Sequence, residues 1–464
     1  MALSFNPELL ADFARSYGFH YDICDPRTLV RDVLTDMERG LRGQTSPLPM
    51  IPSYLKPAAE VPLGKTVVAL DAGGTNFRAA RVYFREPGKP EAAGMRKAPM
   101  PGTRGKVRAE EFFNQIADLA EPLIRESEVE GIGFCFSYPM TMREDGDGIP
   151  TSFSKEVDAA EVIGKPIGQG LREALKRRGL KVPERIVLLN DTVATLLSGL
   201  GQIPADGGDN SGSPGSGGSG PGGRGAKKYE TPGGPVVGFI LGTGFNTAYP
   251  EKDIPKIGFH SAEAPQIVVC ETGNCALRYL GVLDREFDGT TKHPGSYTME
   301  KTTAGAYLGP LTFYILKQAI ADGVLTFNRA AEFAAWPGLQ TRDLNEFMHA
   351  PLTMEGPIGS LFGRDELDAI RSFVYLTSIV TKRGAMFSAA VVAAAVERMD
   401  AGYDPFAPVR IAVEGTTYMI YKGMREALES NLHNMLNREK PRSYVIAPVE
   451  QASLFGAAVA ALSR

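Results

Sequence analysis

Two segments of the chain end an apolar run with a glycine turn that is followed by asparagine. The first is Ala69–Asn76 (Ala-Leu-Asp-Ala-Gly-Gly-Thr-Asn) and the second is Ile240–Asn246 (Ile-Leu-Gly-Thr-Gly-Phe-Asn). Glycine turns at a strand end let main-chain N–H groups approach a phosphate closely, and hydroxyl groups add further donors. One such turn could equally be a simple tight hairpin, but the repetition indicates two similar halves that face a shared cleft. Asp71, which ends the first apolar run, could hold a hydrated Mg²⁺ that neutralises triphosphate charge.

A further carboxylate follows an apolar run in Leu188–Thr192 (Leu-Leu-Asn-Asp-Thr). A group in this position lies at the mouth of a sheet, where α/β proteins bind ligands. Asp191 could therefore take the proton from a hydroxyl that attacks a phosphoryl group. Because the helical run Val193–Leu200 follows, Asp191 could instead be a helix cap, and on spacing alone the cap is the simpler explanation.

The elements that must position these residues alternate between apolar runs and helical periodicity. Apolar spacing predicts helices within the first sixty residues. Strands are predicted at Thr66–Asp71, Arg78–Phe84, Gly131–Phe136, Arg185–Leu189, Val236–Leu241 and Val409–Val413. Helices are predicted at Arg108–Glu126, Gly168–Arg178, Met299–Ala321 and Arg364–Met399. This alternation indicates an α/β protein, and a hairpin opening each half favours mixed sheets.

Composition narrows the classes of function. The chain has 464 residues, enough for two or three domains, with 50 Lys+Arg against 54 Asp+Glu. This balance implies no broad basic face, so nucleic acid is not expected as the main partner. The apolar stretch Ala389–Val396 is far shorter than the ~20 residues that span a bilayer, and we expect it in the core. With no secretion signal and no expected membrane partner, a cytoplasmic protein is predicted.

The four cysteines are too few for a disulfide framework in so long a chain. Cys270 and Cys275, with His260 nearby, could suggest zinc. Only two of the cysteines lie close together in sequence, so buried structural cysteines are the favoured interpretation.

One composition break stands out, from Pro204 to Gly234, where 12 of 31 residues are glycine. Such a segment cannot bury enough apolar surface to offset its ordering entropy, so we predict that it is flexible. Since strand-like runs flank it on both sides, an inserted surface loop is favoured over a domain linker.

Taken with their surroundings, these segments resemble the hexokinase family over nearly the whole chain and in the same order. Leu70–Arg78 and Leu241–Asn246 are similar to its two phosphate motifs, and Asn190–Thr195 to its catalytic segment. The remaining similar segments are Met50–Tyr54 before the first strand, the sugar segments Gly131–Pro139 and Phe153–Lys155, the stretches Asp284–Asp288, Pro294–Gly295, Glu300–Lys301 and Gly305–Gly309, and the adenosine motif Val413–Tyr418.

The resemblance implies two α/β lobes of the actin-like ATPase (ribonuclease H-like) type, with mixed sheets flanked by helices and an active-site cleft between the lobes. Residues 62–200 would form the small lobe, completed by 445–464. Residues 201–444 would form the large lobe, completed by the N-terminal helices within 1–61, with 204–234 as an insertion in it.

The resemblance also implies ATP-dependent phosphorylation of a hexose, glucose first among them, at the 6-hydroxyl, giving hexose 6-phosphate and ADP. Asp191 would accept the hydroxyl proton, Lys155 would offer charge to the transferring phosphoryl group, and Asp71 would hold Mg²⁺ through water. The sugar-binding residues would be Ser137, Ser154, Lys155, Asn190, Asp191, Asn246, Glu271 and Glu300. The residues around Mg-ATP would be Asp71, Gly73, Gly74, Thr75, Asn76, Arg78, Gly242, Thr243, Gly244, Gly415 and Thr416. Partners would be small molecules only, in a monomer or homodimer.

Several positions depart from the family pattern and concern sugar selectivity and nucleotide recognition. Ser154 stands where Thr is usual, Val269–Gly273 lacks an Asn and an aromatic residue, and Glu414 replaces an Asp. Ala452–Ala458 stands in place of a Gly-Ser-Gly-Lys-Gly run. Two alternatives therefore stay open: an ATPase of the same fold with a switch or binding role, and a sugar kinase that uses another phosphoryl donor such as polyphosphate or ADP.

The composition of the glycine-rich segment leads to a first prediction. Replacing residues 207–228 with a short Gly-Ser turn should leave both Tm and kcat nearly unchanged, because the segment has almost no apolar residue to pack and loop closure costs little entropy. Thermal unfolding and turnover of the deletion variant check this. A large loss in either would show that the insertion is ordered and functional.

Overall fold

The computed structural model describes residues 4–57, 61–153, 156–202, 233–261, 263–438 and 440–463. Within them the strands are β1 (Ile51–Pro52), β2 (Thr66–Gly73), β3 (Asn76–Glu86), β4 (Lys89–Pro99), β5 (Gly131–Phe136), β6 (Met140–Met142), β7 (Gly148–Pro150), β8 (Arg185–Leu189), β9 (Val236–Leu241), β10 (Phe245–Glu251), β11 (Asp253–Ile254), β12 (Phe259–His260), β13 (Gln266–Val269), β14 (Val409–Glu414) and β15 (Tyr444–Pro448). The helices are α1 (Pro7–Ser16), α2 (Pro26–Leu41), α3 (Ala109–Arg125), α4 (Ile167–Arg177), α5 (Asp191–Gln202), α6 (Val282–Thr290), α7 (Thr298–Thr303), α8 (Gly305–Ala321), α9 (Ala330–Ala334), α10 (Thr341–His349), α11 (Gly356–Gly359), α12 (Leu367–Arg398), α13 (Thr416–Ile420), α14 (Met424–Leu436) and α15 (Ala452–Leu462).

Two sheets with the same internal plan form the framework. The first has the strand order β4-β3-β2-β5-β8, and the second has the order β1-β13-β10-β9-β14-β15. Each contains an antiparallel hairpin, β2–β3 or β9–β10, whose first strand is parallel to the next strand inward, β5 or β14. A further parallel strand, β8 or β15, completes each sheet. The predicted mixed α/β architecture with two similar halves is therefore present.

Helices α5 and α15 lie between the two sheets and pack against each other. Helix α5 follows β8 of the first sheet but packs on β9 and β14 of the second. Helix α15 follows β15 of the second sheet but packs on β5 and β2 of the first. The last helix of each half thus packs on the sheet of the other half. One buried apolar cluster contains residues of both sheets and both helices.

Three glycines set the spacing of this central layer. A Cβ atom at Gly456 of α15 would stand 2.0 Å from the main-chain oxygen of Ala194 in α5. A Cβ at Gly133 of β5 would stand 1.8 Å from the oxygen of Ala457. A Cβ at Gly238 of β9 would lie 2.6 Å from the oxygen of Thr192. These contacts are with main-chain atoms, which cannot rotate away, so only glycine allows the observed packing.

The outer layers bury the remaining faces of the sheets. Helices α3 and α4 pack together on the first sheet, and α12 packs against α2 and α14 on the side of the second. Helix α12 is long and apolar enough to cross a membrane, but 94% of its most apolar window is buried inside the protein, as in a core helix. The prediction that Ala389–Val396 belongs to the core is confirmed, since all eight residues are buried. Arg383 of α12 also makes a bidentate ion pair with Asp284 of α6, both N–O distances being 2.7 Å.

Two details differ from the sequence prediction. Met299–Ala321 is not one helix: the chain leaves helical geometry at Ala304 (φ −80°, ψ 151°), which separates α7 from α8. The break lets the Gly305 N–H donate to the carbonyl of Gly242 at 2.7 Å, inside the second glycine turn. The segment 445–464, predicted to complete the small lobe, contains most of strand β15 and all of α15. Strand β15 pairs with β14 in the second sheet, and only α15 packs on the first. The division into lobes otherwise stays a prediction.

The glycine contacts allow a paired test of stability. Gly456→Ala should lower the free energy of unfolding by several kcal/mol (about 2–4), because its Cβ would overlap main-chain atoms of α5. The matched control is Gly289→Ala in α6, where a Cβ meets nothing within 4 Å and should stabilise the helix by about 0.5–1 kcal/mol. Thermal or urea unfolding of both variants measures the two opposite shifts, and equal shifts would contradict the proposed packing constraint.

Candidate active site

A cavity of about 530 Å³ opens between the two sheets and is large enough for a small polar ligand. Its walls come from the segment before β2, the loop after β5, the end of β8, the β9–β10 turn and the segments that carry two glutamates. The sequence-predicted residues that line it are Ser137, Asn190, Asp191, Gly244, Asn246, Glu271 and Glu300. Residues far apart in sequence thus converge on one cavity.

Asn190 and Asp191 stand where β8 ends and α5 begins. The Asn190 side-chain oxygen accepts the N–H groups of Thr192 at 2.7 Å and Val193 at 3.3 Å, which is the hydrogen bonding of a helix N-cap. Asp191 Oδ1 also accepts the Thr192 N–H, at 2.7 Å. The cap predicted as an alternative for Asp191 is therefore formed by Asn190. With its oxygen used as the cap, Asn190 presents its amide N–H₂ to the adjacent Asp191 carboxylate, whose pKa it lowers.

Glu271 is held in place by Asn246 across the β10–β13 pair. The Asn246 amide donates to Glu271 Oε1 at 2.9 Å, and the Asn246 oxygen accepts the N–H of Thr247 at 2.8 Å and that of Thr272 at 3.3 Å. Glu271 itself has a left-handed backbone (φ 57°), which turns the chain directly after β13. Both side chains are thereby fixed at the cavity wall.

Glu300 reaches the same wall from α7. Its Oε2 accepts the N–H of Phe245 at 3.3 Å, and Gly244 and Gly273 leave room for it, since Cβ atoms there would stand 3.4 and 3.2 Å from that oxygen. The next residue, Lys301, is buried and pairs with Asp288, and it also donates to the carbonyl of His293 at 2.7 Å. This ion pair anchors the segment that presents Glu300.

The first glycine turn lies at the end of the β2–β3 hairpin, at the edge of the cleft. Gly74 and Thr75 are exposed at the turn itself, and Gly74 has a left-handed backbone (φ 59°). Asp71 is buried in β2, just before this turn, and its carboxylate accepts a hydrogen bond from Arg78 Nε at 2.8 Å. Burial raises the pKa of Asp71, while the Arg78 guanidinium and a hydrogen bond with Ser453 at the start of α15 oppose that rise.

The second glycine turn packs tightly against the segment predicted to bind adenosine. A Cβ at Gly415, where φ is 125°, would stand 2.3 Å from the carbonyl oxygen of Leu241. Thr417 donates its hydroxyl to the carbonyl of Gly242 at 2.8 Å. Thr243 and Thr416 are exposed at this junction. The two segments therefore form one continuous edge of the cleft.

Some sequence predictions lie outside this geometry, and some residues were missed. Ser154 and Lys155 lie outside the described residues, as do all but the last two residues of the predicted insertion.

Ser53, Asn274 and Tyr297 line the cavity and were not predicted. Ser53 lies within a segment already similar to the family, which is a usable signal, whereas the left-handed backbone of Tyr297 (φ 56°) leaves no mark in the sequence.

The cleft concentrates negative charge. Burial raises the pKa of Asp191, Glu271, Glu300 and Glu414, and the carboxylates raise one another further, Asp191 with Asp71, Glu271 and Glu414. The Thr195 hydroxyl lies within hydrogen-bond distance of a Glu414 carboxylate oxygen (3.2 Å) and of the main-chain carbonyl of Asp191 (3.0 Å), to either of which it can donate. A cationic ligand or a metal ion would relieve this repulsion.

The four cysteines of the chain all lie in the protein interior. All four, Cys24, Cys135, Cys270 and Cys275, are free and buried, which confirms the structural interpretation. Among the described residues, no group of three or more His, Cys, Asp or Glu could hold a metal ion directly.

Two glycine turns, a carboxylate at a strand end and a polar cavity between duplicated sheets define a phosphotransferase cleft. Sequence models described as hexokinase match residues 16–200 and 236–463, and the chain belongs to the hexokinase family. As a member of this family it is an ATP-dependent kinase that phosphorylates a hexose.

Individual relatives agree with this assignment. Hexokinase-1 of Oryza sativa subsp. japonica is 27% identical over 460 residues, covering 92% of this chain and 86% of that protein. Hexokinase-1 of Schizosaccharomyces pombe is 26% identical over 447 residues, covering 92% and 85%. In fold, the chain is similar to the hexokinase of Schistosoma mansoni complexed with glucose (TM-score 0.68, 22% identity, 99% and 100% covered). The expected two-lobed fold of the actin-like ATPase type is thus confirmed.

The raised pKa of Asp191 predicts a stability change. A carboxylate whose pKa is raised by folding stabilises the protein only while protonated, and that contribution is lost as the pH rises through the folded-state pKa. Asp191→Asn keeps the acceptor for Thr192 and removes the charge, so without ligands it should raise Tm by about 1–3 °C near neutral pH.

The gain should shrink as the pH is lowered into the acidic range, because the raised pKa of Asp191 lets the folded protein protonate this carboxylate before the unfolded chain does. Calorimetry across this pH range measures it, with Asp12→Asn, at an exposed surface pair, as the control. A lower Tm for Asp191→Asn at neutral pH would contradict the electrostatic argument.

Proposed function

We propose that this hexokinase transfers the terminal phosphoryl group of ATP to the 6-hydroxyl of glucose, with Asp191 as the general base. The observation that carries the proposal is that two neighbouring residues at the start of α5 have different roles. Asn190 caps the helix, so the neighbouring Asp191 carboxylate lies in the cavity wall without being required as a cap. A sugar hydroxyl is a poor nucleophile until its proton is taken, and a carboxylate in this position can take it.

The sugar would be bound by fixed polar groups on both sides of the cavity. Glu271 and Glu300 would accept hydrogen bonds from sugar hydroxyls, since each is already oriented by one hydrogen bond and retains acceptor capacity. The amide groups of Asn190 and Asn246 and the hydroxyl of Ser137 would complete the set, together with Ser154. Lys155 would offer positive charge to the transferring phosphoryl group.

The two glycine turns would hold the phosphates of ATP, and the Gly415–Thr416 segment would lie along the nucleotide. Mg²⁺ fits these residues as a hydrated ion, because it retains waters and needs only one or two carboxylates beside the phosphates. Asp71, buried and oriented by Arg78, would hold it through water. When bound, the ion would neutralise phosphate charge in a cleft rich in carboxylates.

We also infer a cytoplasmic protein that acts as a monomer or homodimer on small molecules. The four buried, unpaired cysteines support a reducing compartment. A relative from Nicotiana tabacum is called chloroplastic, so compartment differs among family members.

Asp191→Asn tests the mechanism. The amide keeps the shape and hydrogen-bonds the hydroxyl but cannot accept its proton, so kcat should fall by about 10²–10⁴-fold while the Kd for glucose changes only a few-fold. A coupled assay and titration calorimetry measure the two quantities, and Asp12→Asn is the control for the same chemical change on the surface. A variant that keeps most of its kcat would end the assignment of Asp191.

The same assay separates the alternatives. ATP consumption by the wild type should rise strongly with glucose, whereas an ATPase with a switch or binding role would be indifferent to the sugar. ADP and polyphosphate in place of ATP test the choice of donor, which concerns the departure Glu414, a carboxylate that interacts electrostatically with Asp191.

A further inference from the structure

We propose that Tyr138 is a positioning residue that couples the sugar segment to the first phosphate turn through its hydroxyl group. The inference rests on the proposed function in one respect, namely that these two segments bind sugar and nucleotide. It adds a residue to which that function assigns no role.

The main chain brings the two segments together. Strand β5 runs parallel to β2 as far as the pair Phe136–Ala72. Beyond the strands, the Ser137 N–H donates to the carbonyl of Ala72 at 2.9 Å. The Tyr138 hydroxyl then donates to the carbonyl of Gly74, at the tip of the glycine turn.

Ring packing places Tyr138 as a donor to the turn, at the border of the cavity proposed to hold the sugar. Its side chain is only 6% exposed, and its ring packs against those of Phe136 and Phe153, with centroid distances of 5.0 and 5.2 Å. Burial raises the pKa of Tyr138 to about 12, so its hydroxyl stays protonated and can donate throughout the working pH range. Tyr138 also lines the sugar cavity, next to Ser137.

The hydrogen bond fixes the direction of one amide group. In a trans peptide, the carbonyl of one residue and the N–H of the next point in opposite directions. Holding the Gly74 carbonyl therefore sets the orientation of the Thr75 N–H, one of the donors proposed to face phosphate. From the other side, the Met100 N–H donates to the Thr75 carbonyl at 2.9 Å. The carbonyl groups of both Gly74 and Thr75 in the exposed turn therefore accept hydrogen bonds.

This arrangement makes the two substrates interdependent. A sugar that seats against Ser137 and Tyr138 restrains the residue that orients the turn, so sugar binding should strengthen nucleotide binding. Coupling of this kind is reciprocal: nucleotide must strengthen sugar binding by the same factor.

Tyr138→Phe tests the inference, because it retains the ring and removes only the hydroxyl. Titration calorimetry on the full chain would give the Kd of a non-hydrolysable ATP analogue with Mg²⁺, with and without saturating glucose. In the wild type, glucose should tighten the analogue. In the variant, the coupling factor should fall by about five-fold, while Tm and the Kd for glucose alone stay nearly unchanged.

The matched control is Tyr83→Phe, which removes a hydroxyl that donates to Glu91 at 3.0 Å, at the far end of the same hairpin. It should leave the coupling factor unaltered. An unchanged coupling factor in Tyr138→Phe, or no coupling in the wild type, would overturn the proposal. So would a large fall in Tm with weaker binding of both ligands, since that pattern belongs to a structural role.

Failure of the proposed function would be recognised separately. The coupling factor is measured by binding alone, without turnover. A wild type that couples glucose to nucleotide but does not phosphorylate glucose would contradict the proposed function and leave the role of Tyr138 supported.

Discussion

The contact between α5 and α15 is the constraint on which the rest of the structure depends. At Gly456 the two helices touch main chain to main chain, and Gly133 and Gly238 bring one strand of each sheet down onto them. Because both helices begin at the cleft, this contact also fixes where their first residues stand. Asp191 opens α5, and Ser453, in the first turn of α15, is close enough to Asp71 to lower the pKa of that carboxyl. The packing of these two helices in the core therefore also determines the geometry of the site.

The same helices influence the electrostatics of the cleft. The N-terminal end of a helix carries partial positive charge, which favours nearby anions. The start of α5 thus lowers the cost of ionising Asp191, whose burial and carboxylate neighbours act in the other direction. Among the described residues around Asp71, Arg78 supplies the opposing charge. In the free protein, burial and mutual repulsion disfavour the ionised form of the cleft carboxylates. The cleft is therefore suited to a ligand that is bound together with cations.

The sequence predicted the parts of this site that depend on local pattern. Strand ends, glycine turns and Asp191 were identified because periodicity and turn residues are local properties. The identity of the residue that caps α5 needed the structure, since only hydrogen-bond geometry shows that Asn190 is the cap. Likewise Met299–Ala321 has continuous helical periodicity, and the break at Ala304 accompanies a hydrogen bond from Gly305 to Gly242, far away in sequence. The exchange of α5 and α15 between the halves is also a tertiary property that no local pattern encodes.

That exchange has a consequence for how the chain is made. During synthesis the first sheet emerges complete through β8, but the helix that covers β2 and β5 is α15, which emerges only after residues 203–451. At ~5–20 residues per second, the apolar face of that sheet waits tens of seconds for its cover. Until α15 is made, this face of the first sheet lacks its cover, and a chain that stopped before Ala452 would leave the face exposed to aggregation and to chaperones.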